Sequence, residues 1–180
     1  MQERLETIIS TPSGEMRIAV ENLHIVYCGW IDRREGNQNG SFTPKVRPTF
    51  IASSSHRFES DRDVAIEATR QLMLYFAGEL QQFSLPIALR GTPFQCEVWK
   101  EIFNIPFGHV ATYGELARRM GRPTAARAVA NACGANAIAV ILPCHRVVGC
   151  GRRTGGYRWG AERKTRLLKL ENTPPSNIIC

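Results

Sequence analysis

One pair of side chains in this 180-residue chain has the makings of a reactive centre: Cys144 and His145, adjacent in Pro143-Cys144-His145-Arg146-Val147. A free thiol titrates near ~8.5, so at neutral pH it is a nucleophile only beside a base or a positive charge. Histidine gains and loses its proton near pH 7. The two together suit nucleophilic catalysis, the thiol attacking once the imidazole has taken its proton. Neighbours in an extended segment point opposite ways, so a water between thiol and ring is needed to join them. Six cysteines, at 28, 96, 133, 144, 150 and 180, show no C-x-x-C spacing and are expected as free thiols. A zinc site from His24, Cys28 and distant partners lacks the spacing of a zinc motif, so no metal is expected. On adjacency alone, Cys144 could still be a buried structural cysteine.

The elements around the pair must place it. Residues 138–142, Ile-Ala-Val-Ile-Leu, have the length and composition of a buried strand ending at Cys144. Residues 149–157 form a Gly- and Arg-rich loop, and a last helix runs from about Ala161 through Leu170. Upstream, Thr92 caps a helix with Pro93 at its first turn and Phe94, Val98, Trp99, Ile102 and Phe103 on a broad apolar face. Thr112-Tyr113-Gly114-Glu115 has capping-box form and opens a short helix through Met120. Gly121-Arg122-Pro123 breaks the chain, and a second helix follows from about Thr124 to Cys133. The pair has helix-turn-helix dimensions. On the second helix Ala125, Ala126, Val129, Ala132 and Cys133 share one side, while Thr124, Arg127 and Asn131 fall opposite.

The first half carries no chemical cluster. Alternation at Leu5, Thr7 and Ile9, then 16–20 and 23–30, predicts three strands. Residues 36–55 read as a loop, 61–77 as a helix with Ala65, Ala68, Leu72, Tyr75 and Phe76 on one stripe, and 82–89 as one more strand. The expected fold is α/β: residues 1–85 a small sheet-plus-helix supporting domain, residues 90–175 a mostly helical domain bearing the chemistry. Charge divides similarly. Residues 1–90 hold 10 Lys+Arg against 11 Asp+Glu, and residues 91–171 hold 13 against 5. A half with a net charge of +8 points to an acidic partner, nucleic acid first. No apolar run approaches the roughly 18 residues of a membrane span, and Met1-Gln2-Glu3-Arg4 opens no secretory signal, so a soluble cytoplasmic protein is expected.

Pro143-Cys144-His145-Arg146-Val147 resembles the active-site motif of the O6-alkylguanine-DNA alkyltransferase family, also called methylated-DNA–protein-cysteine methyltransferases. Further blocks resemble that family in the same order: 91–95 (GTPFQ), 105–108 (IPFG), 111–117 (ATYGELA), 125–129 (AARAV) and 155–157 (GGY). Coverage is strong from about residue 90 to 171, with Thr11-Pro12-Ser13-Gly14 fitting a looser N-terminal half. Arg158-Trp159-Gly160 is most similar to the alkyltransferase half of the bacterial adaptive-response protein.

The resemblance implies a DNA repair protein that flips O6-alkylguanine, and O4-alkylthymine, out of the duplex. The alkyl group passes irreversibly to Cys144, once per molecule and without a cofactor. It implies that His145 takes the thiol proton through a water, and that Glu171 holds the imidazole tautomer. Tyr113 lies near the flipped base and the turned phosphate, Arg127 enters the stack in its place, and Thr124 and Ala126 share that DNA-facing helix. Asn136 is the hinge into the active-site strand, Tyr157 walls the pocket, Arg158 counts among the DNA- and substrate-binding residues, and Lys164 sits near the active-site loop. Carbonyls of Cys144 and Val147 read the guanine amino group. Ala139 stands where some members carry a pocket-crowding proline, which implies room for bulkier alkyl groups. The partner is double-stranded DNA bound without regard to sequence by a monomer, nucleoid-associated on damage. A lesion-binding relative without transfer would lack Cys144. A cysteine hydrolase would turn over an ester, and a transcription factor would select a sequence.

Overall fold

Three strands open the chain because apolar residues alternate along it: β1 (Leu5–Thr11), β2 (Gly14–Glu21) and β3 (His24–Trp30). They pair antiparallel in sequence order. Asn22 and Leu23 both have positive φ, 52° and 62°, as a tight hairpin turn demands. The computed structural model describes residues 4–31, 50–52, 54, 56–151 and 155–173. Within these, β4 (Phe50–Ala52) and β5 (Ile87–Leu89) complete a five-stranded sheet of order β1-β2-β3-β5-β4, with β5 parallel to β3. The strand expected over 82–89 is thus confined to its last three residues. β4 lies inside the expected loop of 36–55, the rest of which, apart from residue 54, falls outside the described residues.

Helix α1 (Asp61–Phe76) begins at Ser60, whose side chain and that of Asp63 form a capping box. It buries Val64, Ala65, Ala68, Leu72 and Tyr75 against β1, β2 and β3. Helix α2 (Pro93–Phe103) is capped by Thr92 as expected, with Gln95 completing a capping box, and α3 (Tyr113–Arg119) by the expected box of Thr112 and Glu115. Helix α4 (Ala126–Gly134) starts two residues later than the composition suggested and has no side-chain cap. Thr124 therefore precedes the helix. The expected faces hold: Val129, Ala132 and Cys133 are buried, and Thr124, Arg127 and Asn131 are exposed. Indole Nε1 of Trp99 on α2 donates to the Ala132 carbonyl at 3.0 Å and ties α2 to α4. A small parallel sheet pairs β6 (Ala111–Thr112) with β7 (Val147–Val148), and α5 (Ala161–Leu170) closes the described chain. One buried apolar cluster runs from Ile9 in β1 to Leu167 in α5. Among the described residues no helix is long and apolar enough to cross a membrane.

Gly91, between β5 and α2, marks a close approach. A Cβ there would lie 2.4 Å from Cη2 of Trp99, a ring only 1% exposed that has nowhere to move. Gly91→Ala is expected to cost about 1–3 kcal/mol through forced repacking. The readout is a lower urea midpoint with an unchanged slope.

Candidate active site

Cys144 is not delivered by a strand. Residues 139–142 form turns, and only Ile138 makes an isolated bridge, to Cys28 of β3. Val140 has φ of 68°, which a strand does not contain. The run is fully buried as expected, but β3 meets it at a single N–H, that of Ala139, which donates to the Cys28 carbonyl at 2.6 Å. Asn136, itself 0% exposed, accepts the Ile138 N–H at 2.8 Å and donates Nδ2 to the carbonyls of Ile138 and Leu142, each at 3.1 Å. A side-chain amide thus does what a neighbouring strand would have done, so an apolar run that reads as strand folds as a buried turn. Cys144–Arg146 is a 3₁₀ turn rather than an extended segment. With about three residues per turn, the three side chains leave in different directions.

Each of those side chains finds a separate environment. Cys144 Sγ receives Nδ2 of Asn136 at 3.1 Å, so the residue expected as a hinge touches the thiol. Burial pushes the Cys144 thiol up, opposed by the Asn136 hydrogen bond and then by the Lys164 charge. His145 points inward, 0% exposed, with Nε2 at 2.9 Å from Oε1 of Glu171. Its Nδ1 is buried with no partner among the described residues. Arg146 donates Nε to Oε2 of Glu171 at 2.9 Å, Nη2 to Oε1 at 3.0 Å, and Nη1 to the Ile105 carbonyl at 2.6 Å. Glu171, the C-cap of α5, accepts in addition Tyr75 Oη at 2.6 Å and the Gly108 N–H at 3.4 Å.

The charges follow from burial and pairing. Burial holds the imidazole of His145 down against the pull of Glu171, so the ring is neutral at neutral pH. Burial disfavours the Glu171 anion, yet His145 and Arg146 outweigh it and bring the carboxyl down to about 2. Arg146 is the cation that persists when the ring is neutral. Lys164 is also buried, its ammonium donating to the carbonyls of Val147 at 2.6 Å and Gly156 at 3.2 Å. Burial lowers it to about 8, with Cys144 and Cys133 opposing.

Over the thiol lies a cleft of about 300 Å³, lined by Tyr113, Ala130, Asn131, Cys133, Gly134, Cys144, Gly156, Tyr157 and Arg158. Residues of α4 form one wall and the 156–158 segment the other. Thr124, Ala126 and Arg127 lie one to two turns before that wall, Thr124 and Arg127 exposed and Ala126 half-buried. Tyr113 stands across the cleft, its hydroxyl 3.5 Å from the Gly156 carbonyl, and burial raises its phenol to about 12. Gly155, at φ 71°, lets the segment pass so close that a Cβ would sit 2.6 Å from the Tyr113 hydroxyl. Tyr157 packs edge-on to Trp30 and Trp159. The Val147 carbonyl faces Lys164, and the Cys144 carbonyl accepts the Val147 N–H. Ala139 is buried outside the cleft lining, so the extra room read from its small side chain does not open there. Cys28, Cys133 and Cys144 are outside any disulfide, but Cys150 is disulfide-bonded; cysteine spacing carries no connectivity. Arg152, Arg153 and Thr154 lie outside the described residues.

Tyr75 and Arg146 are the site members that spacing did not reveal. Tyr75 read only as part of an apolar stripe, and Arg146 only as a motif letter. The signal was a phenol at a position that the periodicity buries; Arg146 offered none beyond its place in the motif.

The carboxyl and the imidazole both make the fold acid-sensitive. Glu171 is depressed from an ordinary 4.5 to about 2, so its stabilisation is complete above about 4.5 and lost as pH falls toward 2. That gap is on the order of 3 kcal/mol. His145 is also depressed, so below its ordinary 6.5 the unfolded chain takes a proton that the fold refuses, again lowering stability. Urea unfolding at stepped pH should show both losses. Glu171→Gln should erase the lower one and cost about 3–5 kcal/mol at pH 7 by stranding Arg146.

Residues 93–173, which build the thiol turn, the cleft and Glu171, match the model of the 6-O-methylguanine DNA methyltransferase DNA-binding domain. A methylated-DNA–protein-cysteine methyltransferase of Mycobacterium tuberculosis is 51% identical over 128 residues, 71% of this chain and 77% of that protein. One of Methanosarcina acetivorans is 50% identical over 107 residues, 59% of this chain and 69% of that one. The crystal structure of Mycobacterium tuberculosis OGT in complex with DNA superposes with a TM-score of 0.72 at 35% identity, covering 97% of this chain and 95% of that one. The archaeal O6-methylguanine-DNA methyltransferase of Pyrococcus kodakaraensis, at 23% identity and a TM-score of 0.60, shares the fold. With the likeness spanning the sheet, the helices and the cysteine turn alike, this chain belongs to the methylated-DNA–protein-cysteine methyltransferase family.

Proposed function

We propose that the chain removes the alkyl group from O6-alkylguanine, and from O4-alkylthymine, in double-stranded DNA by transferring it to Cys144, one group per molecule. The observation that carries this reading is the Cys144 thiol at the floor of a cleft, with a neutral, carboxylate-anchored imidazole directly behind it in sequence. Glu171 and the Tyr75 oxygen face Nε2 of His145, which therefore holds the ring proton. Nδ1 is left with its lone pair and no partner among the described residues, and a water joining it to Sγ carries the thiol proton to the ring. Sγ then attacks the alkyl carbon. The S–C bond forms as the C–O6 bond breaks, and that electron pair goes to the purine. Tyr113, held protonated by burial, donates toward the developing negative charge. Asn136 fixes the attacking sulfur. The product is a thioether with no proton to lose, so the site is spent.

The lesion must leave the stack to reach the cleft, at a cost of a few kcal/mol. Helix α4 supports this step: it walls the cleft with Ala130 and Asn131 and presents Arg127 on the exposed face next to them. Thr124, Ala126 and Arg158 share that side of the cleft, and binding without regard to sequence comes from phosphate contacts made by the basic half. Lys164, its ammonium engaged by two carbonyls, acts by holding the Val147 and Gly156 backbone rather than by touching phosphate. In this reading residues 1–85 support and residues 90–175 bind and accept, in a cytoplasmic monomer that joins the nucleoid on damage.

Mass analysis after exposure to O6-methylguanine duplex should add one CH2 to the Cys144 peptide, once per molecule. Cys144→Ala should end transfer and keep DNA binding. Label on another cysteine, or repeated turnover, would refute the mechanism.

Arg127→Ala separates flipping from ordinary helix docking. If Arg127 fills the gap left by the base, repair of duplex lesions falls sharply while free O6-benzylguanine reacts almost as fast as before. Equal slowing on both substrates would place Arg127 in the pocket or the fold instead. Arg127→Lys should restore binding more than repair, because it keeps charge but loses the planar stacking group.

A further inference from the structure

Tyr75 belongs to the half of the chain that carries none of the motif residues, 70 positions before His145 and 96 before Glu171. It is 0% exposed, and Phe76, Phe83 and Phe107 hold its ring at centroid distances of 5.5, 5.3 and 6.2 Å. Phenylalanine would fill that volume without a hydroxyl to desolvate. Instead the phenol oxygen lies 2.6 Å from Oε1 of Glu171, the length of a charge-assisted hydrogen bond, and 3.4 Å from Nε2 of His145. A hydroxyl has one proton, and the carboxylate takes it, leaving only oxygen lone pairs to face the ring nitrogen. Two acceptors, Oε1 and Oη, therefore converge on Nε2.

We propose that Tyr75 is a positioning residue for alkyl transfer: its hydroxyl donates to Glu171 and presents a second acceptor to His145, fixing the imidazole with Nε2 protonated and Nδ1 basic. The proposal deepens the function proposed above and rests on it. Tyr75 has a second effect. A donor on Oε1 draws charge away from the carboxylate and weakens its hold on an imidazolium. The groups facing His145 are Glu171 at the end of α5, Arg146 from its own turn, Lys164 from α5 and Tyr75 from α1. Of the charged groups only Glu171 favours the protonated ring, and its pull outweighs that of a phenol oxygen at 3.4 Å, so what tempers Glu171 keeps the base free to accept.

The test follows full-length wild type, Tyr75→Phe and Phe83→Leu reacting with free O6-benzylguanine across pH, with label on Cys144 read by intact mass. DNA affinity and melting temperature are measured alongside. Tyr75→Phe is expected to slow transfer at pH 7 on the order of ten-fold, a fraction of what general-base catalysis contributes. Its acid limb should move to higher pH, because the unrelieved carboxylate holds the imidazolium more strongly. DNA affinity should not change. Phe83→Leu loosens the ring without touching the hydroxyl, so it should lower the melting temperature and leave the acid limb in place. Tyr75→Phe with a wild-type rate and limb overturns the proposal. So does slowing that only tracks lost folded protein with the limb unmoved. The ¹⁵N shifts of the His145 ring read the same geometry without any transfer: identical shifts in wild type and Tyr75→Phe also overturn it. Failure of wild type to label Cys144 brings down the proposed function instead, a result the ring shifts keep separate.

Discussion

A carboxylate that is 1% exposed organises this molecule. Glu171 collects donors from α1 through Tyr75, from the segment after α2 through Gly108, and from the reactive turn through His145 and Arg146, while capping α5. Left alone, a buried anion would take a proton or force its way to water. The bidentate guanidinium makes it tolerable, and because Arg146 also holds the Ile105 carbonyl, the pairing sets where the whole turn lies. Such pairs seldom add net stability over well-packed apolar residues, although breaking one is costly. Retaining one beside the only histidine of the motif is consistent with a fixed charge whose task is orientation.

The same arrangement explains the placing of the cations. The C-terminal half is basic, yet two of its charges, Arg146 and Lys164, are turned inward and spent on structure. Lys164 binds the carbonyls of Val147 and Gly156 and so ties the end of the thiol turn to the cleft wall that Gly156 forms. The exposed remainder, with Arg127 and Arg158 beside the cleft, is what could meet phosphate. Counting charge therefore points to the right partner class but overstates the number of contacts.

How far the sequence could be read depended on whether a residue's role was local. Helix starts at Thr92 and Thr112 were legible because a cap followed by proline, or a capping box, is completed within four residues. The hairpin strands and the exposed face of α4 were legible from periodicity. The turn over 139–142 was not, because burial of a short apolar run looks the same whether neighbouring strands or the Asn136 amide meet its backbone. Tyr75 and Arg146 escaped for a related reason: their partners lie 96 and 25 residues away, and no spacing rule reaches that far. The motif named Cys144 and His145, but only the fold shows which ring nitrogen is held and which is open.

The thiol's burial then acquires a reason. Many nucleophilic cysteines are kept as thiolates by positive surroundings. Here burial raises Cys144, and Asn136 and Lys164 only partly offset it, so the resting group is the thiol. A standing thiolate would react with any passing oxidant or electrophile, and on the proposed function each such loss would consume a whole protein molecule. A thiol that ionises only when its proton can pass to His145 ties reactivity to an occupied cleft. The depressed basicity of the ring serves the same end: the imidazole stays neutral and ready, yet too weak a base to strip the thiol unaided. On the proposed function, the charge that develops on the leaving base is met by the Tyr113 hydroxyl and supplies the remaining driving force. On that reading the nucleophile appears with the substrate and not as a standing thiolate.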